Sequence, residues 1–476
     1  MKKRWLTIAM AIALVVSIAG VGFADKYKSS EWKKLTRDVQ TALNGADTET
    51  VNSLIRKVGE DDSKRAVEFL VALGLQVTNH EVYYEIKRAI ASMSNKKALK
   101  EIAKQIQKNR DVRVRIMLVE VLGQKRDPEY VSEIGEILSD KKIRDMSLAR
   151  TAIEALARIG GKSSMKYLVE YLERIERERK GTRLMGTDWH ECRMALKHIT
   201  KDEADYEKAA DWRSYYEGLP DDWKPTAPQE EDTSAEDWKK GKISTTVSMP
   251  KKTPQLFGTE VVSRTPVFVI DVSGSMEKKD PPEPGARKEE DEEKGTGTTP
   301  VDELKKKPRA GGGNPADPGA LGDDRMRIVR AQKELIKLIK ALDRGVMFNI
   351  VAYSREVHVW STSGLKAATD SNKSSAIKFV DGFSPESTTH TDDAMEKAWE
   401  NIKDACDTLY LLSDGSPTHK GDCSDSDMLI EEILNFFRAN NKFKKVKVFT
   451  LGFKGANKPF MRKLAEENNG KYQDIK

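Results

Sequence analysis

Asp271, Ser273 and Ser275 place three oxygen-bearing side chains at alternate positions directly after an apolar run. Three of the four residues at 267–270 are β-branched, which predicts a strand buried on both faces. Carboxylate and hydroxyl oxygens are ligands that suit Mg²⁺, and Gly274 allows a tight turn of the backbone between the serines. The spacing therefore indicates one half of a metal site at the carboxyl end of a buried strand.

Two later segments of the chain supply further oxygen atoms. Thr389 lies just before a predicted amphipathic helix over residues 392–402, and Asp414 follows a second apolar run at 409–412. The Asp-x-Ser-x-Ser spacing alone arises by chance in roughly one chain in ten of this length, so its context decides its meaning. Three separate segments that each deliver oxygen atoms to the end of an element predict one shared site.

The types and order of these residues resemble the von Willebrand factor A (VWA) domain. The metal-ion-dependent adhesion site (MIDAS) of that family consists of Asp-x-Ser-x-Ser, a distant Thr and a distant Asp. The resemblance implies that Ser273, Ser275 and Thr389 contact a divalent cation or its first waters. It also implies that Asp271 and Asp414 hold the cation mainly through water. Mg²⁺ is the expected ion, with Mn²⁺ or Ca²⁺ as alternatives, and the expected partner is a protein that presents an Asp or Glu to it.

Residues 256–476, which the resemblance covers, are predicted to form a Rossmann-like α/β domain with a doubly wound, mostly parallel sheet. Strand patterns at 346–353, 409–412 and 446–453 alternate with amphipathic helices, as such a sheet requires. The segment 356–360 is expected to pair with 346–353 as a hairpin.

The chain departs from the family pattern in two places. Residues 277–323 intervene where the family enters its first helix within a few residues. This insert has an acidic run and consecutive glycines but scarcely any bulky apolar side chain, so we expect it to be disordered. Ser387 and Thr388 stand where a Gly-Gly pair usually precedes the Thr of the site.

The part of the chain before this domain has an almost wholly helical pattern, with apolar residues at i, i+3 and i+4 spacing. Two stretches look like copies of one unit, and their Gly123 and Gly160 lie 37 residues apart. Residues 25–217 thus resemble HEAT-type repeats, in which helix pairs stack into a solenoid. Trp189 and Trp212 are expected in the core of its last repeat, and we expect the all-α unit to fold alone.

Residues 218–255 contain several prolines and no periodic apolar face, which predicts a linker. Residues 1–24 combine a basic start, an apolar run and a small-residue end, which is typical of an export signal. We therefore expect an exported protein of the periplasm, the cell envelope or the medium. The alternative is an uncleaved signal that serves as a membrane anchor, and no other stretch is apolar enough to span a bilayer.

Charge argues against nucleic-acid binding. The sequence has 82 Lys and Arg against 76 Asp and Glu, a formal net charge of +6, and three of the basic residues lie in the export signal. Acidic and basic residues alternate along the chain, which predicts a well-solvated surface rather than a basic binding stripe.

The cysteines and two of the histidines give weaker signals. Cys192, Cys406 and Cys423 are too few for a disulfide scaffold or a zinc site, and we expect no bridge between the last two. His190, beside Glu191 and Cys192, is interpreted as structural because no spaced partners accompany it. His390, next to Thr389, is interpreted as a solvent-facing loop residue rather than a ligand.

Two functions of different classes fit these residues. One is a metal-dependent binding or adhesion module, in which the helical repeats offer a second interaction surface. The other is a hydrolase that uses a metal-bound water, which would need a positioned general base that the motifs do not supply. We therefore expect no enzymatic activity. A metal-independent scaffold of an envelope assembly is a third possibility.

Overall fold

The computed structural model describes residues 26–475 except 46, 143–144, 202, 224–246, 248, 251–252, 281–324, 387, 403–404 and 419–425. The predicted export signal, most of the predicted linker and most of the predicted insert lie outside the described residues. None of the helices in the described ranges is both long enough and apolar enough to cross a membrane.

The first half of the chain forms an all-α unit, called the helical domain below. Its helices are α1 (Ser29–Asn44), α2 (Thr48–Gly59), α3 (Lys64–Gln76), α4 (His80–Ala91), α5 (Lys96–Lys108), α6 (Val112–Lys125), α7 (Val131–Ser139), α8 (Met146–Ile159), α9 (Gly161–Glu178), α10 (Thr187–Ile199) and α11 (Ala209–Gly218). Helices α2, α4, α6, α8 and α10 stack in one layer, and α3, α5, α7, α9 and α11 stack in a second layer. Two parallel layers of this kind are the architecture of a helical-repeat solenoid, as the sequence predicts.

Capping residues determine where the repeated helices begin, and a close backbone contact determines how near they pack. Asp111 begins α6 and Asp145 begins α8, and each carboxylate accepts a hydrogen bond from the first turn of its helix. Gly123 lies where α6 crosses α8: a Cβ at this position would be 2.8 Å from the Cα of Ala155. The glycine that marks the repeat in the sequence therefore lets two neighbouring helices approach at backbone distance.

Gly123→Ala is expected to destabilise the helical domain by about 1 to 3 kcal/mol, because the new methyl group overlaps the backbone of α8. Urea unfolding followed by circular dichroism measures the change. Gly218→Ala is the matched control, since a Cβ on Gly218 would meet no atom within 4 Å. Equal midpoints for the two variants would show that the helices can separate at no cost.

The second half of the chain forms an α/β unit, called the sheet domain below. Its strands are β1 (Gln255–Leu256), β2 (Thr259–Glu260), β3 (Pro266–Asp271), β4 (Met347–Tyr353), β5 (Val357–Val359), β6 (Lys366–Ala367), β7 (Thr408–Ser413), β8 (Lys447–Gly452) and β9 (Tyr472–Asp474). Its helices are α12 (Arg327–Ala341), α13 (Asp370–Asp381), α14 (Thr391–Ile402), α15 (Ser426–Lys444) and α16 (Lys458–Glu467). The strand order is β5-β4-β3-β7-β8-β9, with β6 beside β4.

The sheet is doubly wound, as predicted. Strand β3 pairs in parallel with β4 on one side and with β7 on the other, and β7, β8 and β9 continue in parallel. Strand β5 pairs with β4 in the antiparallel sense, which confirms the predicted hairpin. Alternate residues of β3 enter different cores: Phe268 and Ile270 pack with residues of α12 and α13, whereas Val267 and Val269 pack with α14, α15 and α16.

Three local predictions differ from the structure. The sequence suggests a short helix at 376–379, but α13 runs from Asp370 to Asp381 because the Thr369 hydroxyl caps a first turn made of polar residues. Strand β9 was not expected, since its three residues are polar or partly exposed and depend on β8 for their pairing. The first residues of the predicted disordered insert are ordered: residues 278–280 bond to 325–327, and Asp280 forms ion pairs with Arg327 and Arg330.

The two domains share a polar, buried interface. Asp407, just before β7, accepts hydrogen bonds from Thr187 of the helical domain (2.6 Å) and from Ser263, and its carbonyl accepts one from Arg150 (3.3 Å). Glu191 of α10 bonds to Arg150 at 2.8 Å and to Lys447 of β8 at 2.7 Å. These contacts fix the amino ends of β7 and β8 against the helical domain.

Apolar residues also cross the boundary. Leu184 of the helical domain belongs to a core of the sheet domain, and Phe443 of α15 packs edge-on against Tyr83 of α4 at 5.8 Å. The domain boundaries predicted from the sequence stay a prediction. In the full chain α15 and β8 cover part of the surface of the helical domain. If the helical domain folds alone, as expected, this surface is exposed to water.

Glu191→Gln is expected to destabilise the full chain by about 2 to 4 kcal/mol near pH 7, because Arg150 and Lys447 lose their carboxylate while remaining buried. The two cations hold the pKa of Glu191 at about 2, below its ordinary value, although burial alone would raise it. A depressed acid pKa stabilises the fold above about pH 4.5 and loses this effect as the pH falls toward 2. Urea midpoints of both proteins between pH 7 and pH 2.5 measure it, and a constant gap between them would contradict the assignment.

Candidate functional site

The strand order has a switch point at β3, because the chain is connected to strands on opposite sides of it. From β3 the chain continues to β4 on one side, and it later returns to place β7 on the other side of β3. Open α/β sheets bind ligands at such a switch point, outside the carboxyl ends of the strands. Asp271 ends β3 and Asp414 directly follows β7, so both predicted site carboxylates lie at this point.

Asp271 is fully buried and held by two hydrogen bonds. One carboxylate oxygen accepts from the Ser273 backbone N–H at 2.8 Å, and the other accepts from the Ser413 hydroxyl at 2.6 Å. Burial raises the pKa of Asp271 to about 6, and the nearby Asp414 acts in the same direction, whereas the two bonds act against it. A carboxylate that is this costly to ionise is well placed to gain from a nearby cation.

The two serines of the motif and Asp414 form a continuous chain of oxygen atoms. The hydroxyls of Ser273 and Ser275 lie 3.0 Å apart, and the Ser275 hydroxyl donates a hydrogen bond to Oδ1 of Asp414. Ser275 lies in a short 3₁₀ turn, Gly274–Glu277, that redirects the chain immediately after β3. The structure therefore brings together Asp271, Ser273, Ser275 and Asp414 as the sequence predicts.

Thr389 approaches the same place from the loop before α14. It is buried, and a reciprocal pair of bonds with Thr418 holds its backbone: its N–H donates to the Thr418 hydroxyl at 3.0 Å, and its carbonyl accepts from the Thr418 N–H at 2.9 Å. A Cβ on Gly415 would lie 3.8 Å from the Thr389 hydroxyl and 3.9 Å from the Ser275 hydroxyl. Both hydroxyls thus border the space beside Gly415, within van der Waals reach of a Cβ at that position.

Sequence analysis missed Arg327, a basic residue that reaches this site. Its guanidinium donates to Oδ2 of Asp414 at 2.5 Å and to Asp280 at 3.1 Å, and it is almost fully buried. Arg327 begins α12, beyond the long insert, so its distance along the chain from the motif concealed it. It fixes the orientation of Asp414 and leaves Oδ1 of that residue turned toward Ser275.

The prediction that His390 faces solvent is wrong. His390 is only 3 % exposed; its backbone N–H bonds to the Ser354 carbonyl, and its Nε2 lies 3.3 Å from the Thr388 hydroxyl. The tight passage from Thr389 into α14 folds the ring inward. Its Nδ1 lies 3.7 Å from the Asp393 carboxylate.

The cysteines and the His190 segment take structural positions. Cys192 and Cys406 are buried free thiols, and Cys423 lies outside the described residues. Beside His190, Glu191 forms the interdomain ion pairs, and the Cys192 thiol donates to the Leu168 carbonyl.

The donor set fits a hard divalent cation. Two buried carboxylates and three hydroxyls meet at one end of the sheet, which are the oxygen ligands that Mg²⁺, Mn²⁺ or Ca²⁺ accept. Within the described ranges no three His, Cys, Asp or Glu side chains gather as a metal cluster. The hydroxyl-rich arrangement is a different kind of site, in which neutral oxygens would provide the direct contacts.

Comparison with protein families finds one match in each half of the chain. Residues 319–474 match the von Willebrand factor type A domain, and residues 99–183 match HEAT repeats. The sheet domain is a VWA domain, and the helical domain contains HEAT repeats. The VWA match includes Thr389 and Asp414 and begins after Ser275, so the first half of the site rests on the geometry given above. VWA domains mediate protein–protein interactions, and some do so through a divalent metal at a MIDAS.

Solved structures show distant similarity. A von Willebrand factor type A protein from Catenulispora acidiphila is 16% identical, with a TM-score of 0.30, over 44% of this chain and 38% of that one. Proximal thread matrix protein 1 from the mussel byssus, with a zinc-occupied MIDAS motif, is 15% identical, with a TM-score of 0.27, over 44% and 41%. The PilB minor pilin from Streptococcus sanguinis is 14% identical, with a TM-score of 0.28, over 44% and 56%. This chain thus matches about half or less of each of these proteins, and a search of curated proteins finds no match.

Asp271→Asn is expected to stabilise the metal-free VWA domain at pH 7 by up to about 3 kcal/mol, because the amide removes a buried charge and can still accept from the Ser273 N–H. The raised pKa of Asp271 means that its cost is present above about pH 6 and disappears as the pH falls toward 4. Urea unfolding in EDTA at pH 7 and pH 4.5 measures this, with the exposed Asp381→Asn as control. A variant less stable than wild type in EDTA would contradict the cost assigned to the buried charge.

Proposed function

We propose that this protein is an exported binding module whose VWA domain holds a divalent cation, Mg²⁺ in the first place, and through it an acidic side chain of a partner protein. The observation that carries the proposal is the pair of Ser273 and Ser275 hydroxyls, 3.0 Å apart, set between the buried Asp271 and Asp414 carboxylates at the switch point of the sheet. Export is inferred from residues 1–24, whose pattern is typical of a signal peptide.

The residues divide the work between direct contact and orientation. Ser273, Ser275 and Thr389 would supply neutral oxygens to the cation. Asp271 and Asp414 would balance its charge, each oriented by a partner of its own, Ser413 and Arg327. When bound, the cation offers an open coordination position that a carboxylate from outside can fill.

A binding role is favoured over hydrolysis by the surroundings of the hydroxyls. His390, next to Thr389, is a candidate general base, and its ring contacts Thr388 and Asp393. In the described part of the chain no hydrogen bond joins this ring to Ser273, Ser275 or Thr389, and both site carboxylates are already hydrogen-bonded. A metal-bound water would therefore lack a positioned base.

The helical domain is proposed as a second interaction surface. The contacts of Glu191, Asp407 and Lys442 hold it on the α15 and amino-end side of the sheet. The loops at the carboxyl ends of β3 and β7, which carry the site, belong to the opposite end of the strands. A partner at the metal end and a partner on the repeats could thus be bound together.

Ser275→Ala in the full chain is expected to weaken Mg²⁺ and Mn²⁺ binding at least tenfold, because it removes a ligand and the hydrogen bond to Asp414. Isothermal titration calorimetry measures the affinity, and Ser374→Ala on the exposed face of α13 is the matched control.

Capture of a partner from cell-envelope extracts should require Mg²⁺, fail in EDTA and fail with Ser275→Ala. Wild-type metal affinity in Ser275→Ala would overturn the metal site, and capture that is unaffected by EDTA would favour the metal-independent scaffold.

A further inference from the structure

A half-open cavity of about 190 Å³ lies between the two domains, away from the predicted metal site. Helices α4, α6 and α8 of the helical domain form one wall, and α15 and the end of α16 form the other. The cavity is large enough for several water molecules or a small organic molecule. Nothing in the proposed metal-dependent function uses it.

The walls of the cavity carry more positive than negative charge. Five Lys or Arg side chains and three Glu side chains line it. Each acid already has a basic partner: Glu120 bonds to both Lys87 and Lys445, Glu154 to Arg158, and Glu467 to Arg438. The lining therefore has two more basic than acidic side chains. Glu431, outside the lining, also pairs with Arg438, and a bound anion would balance the charge that remains.

Lys442 lines the cavity and carries a positive charge that no carboxylate of the described residues pairs with. Its ammonium group donates to the carbonyls of Gly74 and Val77, at 3.0 and 2.6 Å, and no carboxylate lies within ion-pair distance of it in the described ranges. Burial lowers the pKa of Lys442 to about 8. The ammonium groups of Lys442 and Lys87 each lie 5.0 Å from the centre of the Tyr83 ring, so two positive charges lie close to one aromatic ring.

Tyr84 gives the cavity an aromatic surface and a free polar group. Its ring lies 4.8 Å from the Lys87 ammonium and edge-on to His80. Among the described residues its hydroxyl has no hydrogen-bond partner, although it is half buried beside Glu120, Glu467 and Arg438. A ligand with a flat apolar part could lie against this ring and accept from its hydroxyl.

We propose that this interdomain cavity binds a small organic anion, with a carboxylate or phosphate group that neutralises Lys442 and a flat apolar part that contacts Tyr84. Because residues from both domains surround it, such a ligand would bind only the docked arrangement and would stabilise it. The site is independent of the metal site, and it can be tested with the metal removed.

The test is calorimetry on the full chain in EDTA, with phenyl phosphate, benzoate, inorganic phosphate and phenol as probes. Phenyl phosphate or benzoate is expected to bind at least tenfold more tightly than phenol or inorganic phosphate, and the tighter of the two identifies the anionic group. Lys442→Met and Tyr84→Leu should each weaken that binding at least tenfold. Lys378→Met, on the exposed side of α13, should leave it unchanged.

Circular dichroism confirms that each variant is folded, and Tyr84→Leu provides the test if Lys442→Met does not fold, since it leaves every charge in place. Absence of binding by both phenyl phosphate and benzoate at millimolar concentration would overturn the proposal. Equal affinity in wild type and in the folded variants would overturn it as well, since the binding would then lie elsewhere.

Discussion

A fully buried carboxylate at the end of the central strand is the constraint on which the VWA domain depends. Asp271 lies at the switch point because β3 is flanked by β4 and β7, and there its carboxylate accepts from the Ser413 hydroxyl and the Ser273 N–H. Ionising it there is costly, as its raised pKa shows. A cation bound at this place would offset the free-energy cost of the buried charge. Groups with shifted pKa values of this kind are common at binding sites.

Buried carboxylates also occur at the interface between the domains, where basic side chains balance their charge. Glu120 and Glu191 are buried acids, but each is bonded to two cations, and their pKa values fall to about 2 instead of rising. Each pair of cations includes one from either domain: Lys87 and Lys445 for Glu120, and Arg150 and Lys447 for Glu191. Each acid therefore has one cation in the helical domain and gains its second only when the sheet domain is docked.

Sequence reasoning recovered the architecture and the site residues that depend on local pattern. The strand before Asp271, the 37-residue separation of Gly123 and Gly160, and the carboxylate after β7 are each visible within a short window, and a parallel sheet then brings the strand ends together. Arg327 was missed because its relation to Asp414 passes through a long insert and a helix start that has no motif. His390 was misjudged because loop position suggests exposure. Its ring is buried with Nε2 beside the Thr388 hydroxyl, and its backbone N–H bonds to the Ser354 carbonyl, contacts that periodicity does not encode.

The charged residues between the helical domain and the sheet domain were the hardest to predict from the sequence. A single Lys, Glu or Asp on an amphipathic helix looks like a solvated surface residue, and nothing local distinguishes Lys442 from its exposed neighbours on α15. Only the docking of α15 on the helical domain reveals that Lys442 and Lys445 are drawn into a shared, partly buried space.

The charge balance of the three buried regions connects them. At the candidate metal site the acids outnumber the base that reaches Asp414. Arg327 is shared with Asp280, and among the described residues no basic side chain bonds to Asp271. At the Glu191 joint one acid is shared by two bases, and in the cavity the bases outnumber the acids. Burial makes each imbalance costly, because the protein interior cannot screen charge as water does. An acidic excess is relieved by a cation and a basic excess by an anion, so the candidate metal site and the cavity are expected to have ligands of opposite charge at opposite ends of the sheet domain.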